Sequence, residues 1–471
     1  MLRLRSLAIA TLLSGLAASA SGQTSACEDL NQLDGLMPFA LTTLNVPGIG
    51  LQITKNGLVR YEKAFGSYTV DQVVPIASGS KWLSAACILV LVDQGKLLLD
   101  DKVSKYVTSF TGSKANITIR QCLAHTSGLG VDDPSLAATT ITLAQCVDYC
   151  AQLLLDSTPG STFNYGEISM QVAGRCAEVA TGKSWETIFQ QAIAGPLGMT
   201  KTDYQGLATT QNPRIGAGAR SCLKDYGTFL RMVLNGGMNG ASRVLSLASI
   251  DELLKDQTNG AILKSQPFPQ PRRYGLGCWR DRVGSNTLLA QTSSQGIFGF
   301  SPWIDFERRM TGVFLLRDSL VHAYPVVETL QSLVRDVLNP VGVSCIGNST
   351  HICNQPIVHN AFSVPRGGNQ DFGLFAFNLP PGTGGVLAFA ATPWVVGWNF
   401  GGATVYLDTS AAVVSIPVIS NAVGETWVPL PVPGLVAGTK FYSQFLFVKP
   451  SSCPSGPGPI GASNALSVIL Q

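Results

Sequence analysis

The sequence predicts a mixed α/β part, an antiparallel sheet with flanking helices, followed by an all-β part. Three observations carry that prediction. From about Cys27 to Val343, helical and strand-like segments alternate. From about Pro356 onward the chain holds only short apolar or alternating runs, GVLAFAA, ATVYLD, AVVSIPVI and KFYSQFLFV, separated by Gly and Pro clusters, the pattern of a β-sandwich. Charge thins out in the same region: from Ala361 to the end the only charged residues are Arg366, Asp371, Asp408, Glu425, Lys440 and Lys449. A chain of 471 residues is comfortable for two domains.

At the N-terminus, MLRLRSLAIATLLSGLAASASGQ begins with Arg3 and Arg5, continues as an apolar run from Leu7 and offers Ala18-Ser19-Ala20 for cleavage. Residues 1–22 are therefore expected to be a secretory signal peptide. The run is shorter than the ~20 residues a spanning helix needs, and no later stretch looks transmembrane. The protein is expected in the periplasm or outside the cell, where disulfides persist. Of its 11 cysteines, Cys345 and Cys353 bracket SCIGNSTHICN and are the expected pair. Two of Cys122, Cys146 and Cys150 could bond, and Cys87 and Cys176 read as packed thiols. No CxxC spacing and no paired histidines appear, so no metal is expected. The chain is 45% hydrophobic and 13% charged, against about 25% charged in an average domain. Its net charge of +3 gives no reason to expect nucleic acid or an anionic membrane as partner.

The elements follow in order. GIGLQITKNG and VRYEKAFGSY form a hairpin around Asn56-Gly57. SKWLSAACILVLVDQG is apolar almost all round and reads as a central buried helix. ISMQVAGRCAEVATG is a helix stopped by Gly182, and KDYGTFLRMVLNGG is another. YGLGCWRDRV, NTLLAQTSS and RRMTGVFLLRD read as three consecutive strands. The expected organisation is a first domain over 27–344, a linker over 345–358 and a β-sandwich over 359–471. The tail's aromatic residues, Trp394, Trp398, Phe400, Trp427, Phe441, Tyr442, Phe445 and Phe447, suit either a sandwich core or a surface that binds a polymer or another surface. Oligomeric state is not legible.

Chemistry enters at PIASGSKWLSAAC. Ser78 and Lys81 lie three apart, which on a helix is one face. At a helix N-terminus the dipole favours an alkoxide and disfavours an added cation. A desolvated lysine also loses its proton readily, so the pair suits a nucleophile with its base. Ser80 and Ser84 fit packing or backbone-bonded roles. The spacing alone is weak, because Ser221 and Lys224 repeat it, and there the serine is expected only to cap a helix.

Further stretches decide between the two. PIASGSKWLSAACILVLVDQGKLLLDDKVSKYV resembles the nucleophile helix of the serine β-lactamase and penicillin-binding-protein superfamily, most closely its class C and esterase branch. LAHTSGL is similar to that family's H-T-S-G-L turn. TPGSTFNYGEISMQVAGRCAEVATGKSW places Tyr165 where the family keeps its catalytic tyrosine. GPLGMTKTDY resembles its P-L-G-M element, and SSQGIFGFSPWID its third motif, expected on the strand lining the site.

The resemblance covers roughly Val46 to Arg317 and implies a β-lactamase-like fold with a helical subdomain and acyl-enzyme chemistry. Ser78 would attack a carbonyl, Lys81 and Tyr165 would share the proton transfers, and the Ser78 and Ile297 amides would form the oxyanion hole. Glu167, Ser294, Gln295 and Gly296 would line the substrate site, and no cofactor is implied. His125 fits a structural turn better than a base.

The sequence also departs from the family. Tyr165-Gly166-Glu167 lacks the family's asparagine, and an ionised carboxylate cannot donate a hydrogen bond. Ser294-Gln295-Gly296 lacks the family's lysine. Glu167 could face solvent or sit in the cleft and repel anions. The losses point away from β-lactams toward neutral esters, small or polymeric. A β-lactamase, a D-Ala-D-Ala peptidase or amidase, or a binding protein with a decayed site are the alternatives.

Overall fold

The structure is a computed structural model. It describes residues 24–25, 27–205, 210–258, 260–284, 288–353, 355–432, 437–453 and 458–471. The expected leader over 1–22 lies outside the described residues. The chain divides into two units. One comprises 40–284 and 289–325, and the other 1–39, 285–288 and 326–471.

The first unit is built on a seven-stranded antiparallel sheet. Its strands are β1 (Gly48–Lys55), β2 (Leu58–Gly66), β3 (Arg273–Tyr274), β4 (Trp279–Val283), β5 (Leu289–Ser293), β6 (Ser301–Asp305) and β7 (Met310–Leu315), in the order β3-β4-β5-β6-β7-β1-β2. β1 and β2 form the expected hairpin. Asn56 and Gly57 both have positive φ, 52° and 81°, as a two-residue type I′ turn requires.

Helices follow the sequence reading: α1 (Gly79–Asp93), α2 (Leu143–Gln152), α3 (Ile168–Thr181), α4 (Leu223–Leu234) and α5 (Leu247–Leu254). α3 stops at left-handed Gly182. α4 packs on β7, β6 and β1, while α1 contacts α3 and α5. Every residue from Gly79 to Leu91 is buried, because apolar side chains surround α1 on all sides. Trp82 of α1 meets Phe229 of α4 edge-on.

The third motif departs from its expected place. Ser294-Gln295-Gly296 follows β5 in the turn toward β6 rather than lying on a strand. The second sequence S-x-x-K resolves as a packing element. The α4 N-cap is Cys222, not Ser221, because the Ser221 hydroxyl is taken by Thr202 at 2.8 Å. Lys224 is exposed.

The second unit is β-rich. A six-stranded sheet runs β8 (Val343–Ile346), β18 (Ala465–Ile469), β16 (Lys440–Val448), β11 (Gly384–Ala390), β14 (Val414–Ile419), with β17 (Ile460–Ala462) also paired to β16. A three-stranded sheet joins β9 (Val358–Ala361), β10 (Gly373–Phe377) and β15 (Thr426–Pro429). β12 (Pro393–Phe400) and β13 (Ala403–Leu407) form a hairpin. Leu374, Ala376 and Val428 from the smaller sheet share one core with Leu387, Phe445, Phe447 and Leu466 from the larger, which is sandwich packing. All four runs singled out in the tail are strands.

Two expectations are corrected. The segment 345–358 is not a linker: it carries β8, Ser349–Ile352, Gln355–Pro356 and the start of β9. Ser349–Ile352 pairs with Gln355–Pro356 within the segment, while β8 and β9 pair with strands further along the chain. Cys345 and Cys353 do not pair with each other. Cys345 bonds Cys27, 318 residues away, and Cys353 bonds Cys453, 100 residues away. The short loop put the two cysteines near each other in sequence, but β pairing sends them to different partners. Cys122, Cys146 and Cys150 are free and buried, as are Cys87 and Cys176. Phe445 and Phe447 are core, while Trp394, Phe400 and Trp427 are about half exposed.

No helix among the described residues is long and apolar enough to cross a membrane. Among those residues there is also no cluster of three His, Cys, Asp or Glu side chains that could hold a metal.

Candidate active site

Ser78 occupies the N-cap of α1, yet its hydroxyl caps nothing. A serine there ordinarily accepts from the first-turn amides. Here the Lys81 Nζ takes it instead, donating to Ser78 Oγ at 3.0 Å. The residue before it, Ala77, has φ 44°, a conformation that costs an L-residue about 1 kcal/mol or more. The strained turn delivers Ser78, partly exposed, above a helix that is otherwise buried.

Lys81 is 1% exposed. Its second hydrogen bond goes to the Gly216 carbonyl, also at 3.0 Å. Burial disfavours the ammonium and draws its pKa down to about 8, with Glu167 and Asp132 pulling the other way and Arg214 adding to the fall. Tyr165 completes the group. Its ring lies 4.8 Å from Lys81 Nζ, and Ser78 is close enough to its hydroxyl to act on its titration. Burial, in the first place, raises the phenol above its ordinary value; Ser78 opposes this and Glu167 adds to it. Tyr165 stays protonated wherever Lys81 titrates.

An aromatic wall fixes Tyr165: Trp279 at 4.9 Å, His125 at 4.8 Å and Tyr274 at 5.9 Å between ring centroids. His125 is a left-handed turn residue with φ 56°. Its backbone carbonyl accepts from the Asn164 amide, and neither ring nitrogen has a hydrogen-bond partner among the described residues. Burial, then the nearby Lys81 charge, push it far below the ordinary histidine value. It is a neutral packing group beside the site.

The other two serines of the stretch are structural. Ser80 Oγ donates to the Ala77 carbonyl at 2.6 Å and accepts from the Ala219 amide at 3.0 Å. Ser84 Oγ donates to the Ile215 carbonyl and meets the Tyr204 hydroxyl.

The third-motif turn comes alongside through backbone. A Cβ on Gly296 would stand 2.2 Å from the Ile76 carbonyl oxygen, so only glycine lets this turn approach the segment that carries Ser78. Ile297 follows it, 64% exposed. Neither the Ser78 nor the Ile297 amide donates to an acceptor among the described residues. Ser294 and Gln295, expected to line the substrate site, are buried. Ser294 Oγ lies 3.1 Å from both the Ser78 and Gly277 carbonyls, and Gln295 Oε1 accepts from Ser293. They brace the turn.

Glu167 neither faces open solvent nor stands free in a cleft. Arg214 grips it, with Nε 2.9 Å from Oε2 and Nη2 on the same oxygen. Arg214 and Gly216 were not visible as site residues in the sequence. They sit 47 and 49 positions past Glu167 (214 − 167 and 216 − 167), with no local pattern to mark them.

A helix-borne Ser–Lys pair with a tyrosine, set beside an antiparallel sheet, is the arrangement of the β-lactamase-fold serine hydrolases. The Beta-lactamase family model matches residues 33–326, and the chain belongs to that family. A putative β-lactamase from Bacteroides dorei is 34% identical, with TM-score 0.60, over 65% of this chain and 99% of that one. EstCE1, a hydrolase with promiscuous acyltransferase activity, shares the fold at 20% identity and TM-score 0.54, over 64% of this chain and 97% of its own. Protein flp of Staphylococcus aureus (strain N315) is 31% identical over 37% of this chain and 38% of its own length, so the chain spans well under half of that relative.

Proposed function

We propose that the protein is an exported carboxylesterase acting on neutral esters through an acyl-enzyme on Ser78. The observation that carries the reading is the buried Lys81 amine, 3.0 Å from Ser78 Oγ with its pKa drawn to about 8, beside a tyrosine held neutral.

In the neutral form Lys81 takes the Ser78 proton as Oγ attacks the ester carbonyl. The developing oxyanion is received by the Ser78 and Ile297 amides, donors of a kind worth about 3–4 kcal/mol each. Tyr165, in contact with Ser78, relays a proton to the departing alkoxide and is reprotonated from Lys81. Water then repeats the steps in reverse and frees the acid and Ser78. The side chains need no cofactor for this sequence.

The preference for neutral esters rests on what surrounds the machinery. Where the family's asparagine would donate a hydrogen bond, Glu167 is an ion-paired acceptor. Where its lysine would meet a substrate carboxylate, Ser294 is a buried brace. The half-exposed Trp394, Phe400 and Trp427 of the second unit suit adhesion to an apolar polymer. The two disulfides suit an oxidising compartment.

Turnover of a p-nitrophenyl ester series, with amino-acid amides and a chromogenic cephalosporin in parallel, tests the reading. Efficient ester cleavage with little cephalosporin turnover is expected. Comparable cephalosporin turnover would transfer the assignment to a β-lactamase, and amide cleavage above ester cleavage to an amidase.

A further inference from the structure

We propose that Arg214 is a positioning residue of the Ser78 site: its two-nitrogen grip on Glu167 keeps that carboxylate off Lys81, leaving the Lys81 amine committed to Ser78. This rests on the reading of Ser78 and Lys81 given above.

A carboxylate two residues beyond the site tyrosine is a hazard to a lysine base. Left unmatched in a buried setting it stabilises the ammonium, which cannot accept the serine proton. It also offers a stronger hydrogen-bond acceptor than a hydroxyl, so Lys81 could leave Ser78 for it. In the structure Lys81 instead spends its donors on Ser78 and the Gly216 carbonyl. Glu167 spends one oxygen on both Nε and Nη2 of Arg214.

The grip is built in rather than incidental. Gln171 lies one turn beyond Glu167, on α3. Its Nε2 donates to the Pro213 carbonyl at 2.9 Å and its Oε1 accepts from the Ile215 amide at 3.0 Å, so α3 clamps the backbone on both sides of Arg214. On the far side the Ile215 carbonyl accepts from Ser84 of α1. A tight turn follows, with the Gly218 amide donating to the Arg214 carbonyl at 2.6 Å. One segment, 213–216, therefore presents both the guanidinium that holds Glu167 and the carbonyl that holds Lys81.

The groups facing Lys81 are few. Ser78 comes from its own helix, and Tyr165 and Glu167 from the approach to α3. Arg214 and the Gly216 carbonyl come from this segment, Asp132 from an exposed loop, and neutral His125 stands close by. Glu167 and Asp132 favour the ammonium, and Arg214 opposes them.

The test is the pH profile of kcat/KM for a p-nitrophenyl ester in Arg214→Met, Glu167→Gln and the double variant, with the rate of fluorophosphonate labelling at Ser78 as second readout. Arg214→Met is expected to move the acid limb upward by about one pH unit, roughly a tenfold loss below the limb. Glu167→Gln moves the limb downward, and the double variant recovers to near the Glu167→Gln profile. Arg214→Lys keeps the charge and holds the limb near its original place. An unmoved limb in Arg214→Met, or a double variant as impaired as Arg214→Met, overturns the proposal and assigns Arg214 a purely structural role. Should Arg214→Met not fold, Glu167→Gln alone decides, and an unmoved limb there is equally fatal. The underlying site reading fails separately: it falls if the unaltered protein is folded and Ser78 takes no label, whatever the Arg214 variants do.

Discussion

Lys81 shows at the scale of one residue why function and stability oppose each other here. A lysine whose folded pKa is depressed holds its proton less tightly in the folded state than in the unfolded one. That destabilisation is fully present below pH 8 and is relieved as the pH rises from 8 toward the ordinary 10.5. At roughly 1.4 kcal/mol per pH unit of displacement it amounts to about 3 kcal/mol. Lys81→Met is therefore expected to abolish the proposed ester hydrolysis and to raise stability at pH 7 by about 1–3 kcal/mol, even with two hydrogen bonds lost. Denaturant unfolding at pH 7 and pH 10.5 checks this: the variant's advantage should be present at the lower pH and shrink at the higher. Tyr165→Phe removes the proposed proton relay, a phenol that burial keeps protonated where Lys81 titrates. It should lower kcat by about 10²–10⁴-fold without moving the acid limb near pH 8, as steady-state kinetics across pH would show.

At the scale of the element, the turn into α1 sets the site. Ala77 sits at φ 44°, and glycine adopts that conformation without the Cβ penalty. Ala77→Gly should relieve the strain and leave Ser78 less firmly held, so a melting temperature equal to or above the parent's with lower kcat is expected. A clearly lower melting temperature would show that the turn is not strained. Ser80→Ala leaves the buried Ala219 amide without its acceptor, at a cost of about 1–3 kcal/mol, while Ser78 labelling persists. Local signals made this region legible. The S-x-x-K spacing put Ser78 and Lys81 on one face, Asn56-Gly57 fixed the first hairpin, and Gly182 ended α3. What was illegible came from afar. Arg214 meets Glu167 only because Gln171 clamps a distant segment, and Ser294 turned inward because the turn that carries it packs against the Ser78 segment. The duplicate pair at Ser221 and Lys224 separates cleanly in three dimensions, one residue being bonded to Thr202 and the other exposed.

At the scale of the whole molecule, composition announced a mixed part and a β part, and both are present. Their boundary was misjudged because polar loop residues in 345–358 resemble a linker, whereas backbone pairing places them in strands. The disulfides were equally hidden, since a partner 318 residues away leaves no trace in local spacing. Cys353–Cys453 closes 100 residues, a loop for which chain entropy allows up to about 5 kcal/mol. Reductant should thus lower the unfolding temperature of the β-rich unit, followed by scanning calorimetry, and the Cys353→Ser/Cys453→Ser variant should lose much of that response. The Ser78 unit contains neither disulfide, so its fluorophosphonate labelling should survive reduction.

The central claim is that Ser78 is a nucleophile activated by Lys81. Its most direct measurement is the pH-dependent rate of fluorophosphonate labelling, with the modified residue located by peptide mass spectrometry. Labelling confined to Ser78, rising with pH to a plateau above about 8, and lost in Ser78→Ala and Lys81→Met, is the predicted result. No labelling of the folded protein, or labelling at Ser221 or another serine, would contradict it.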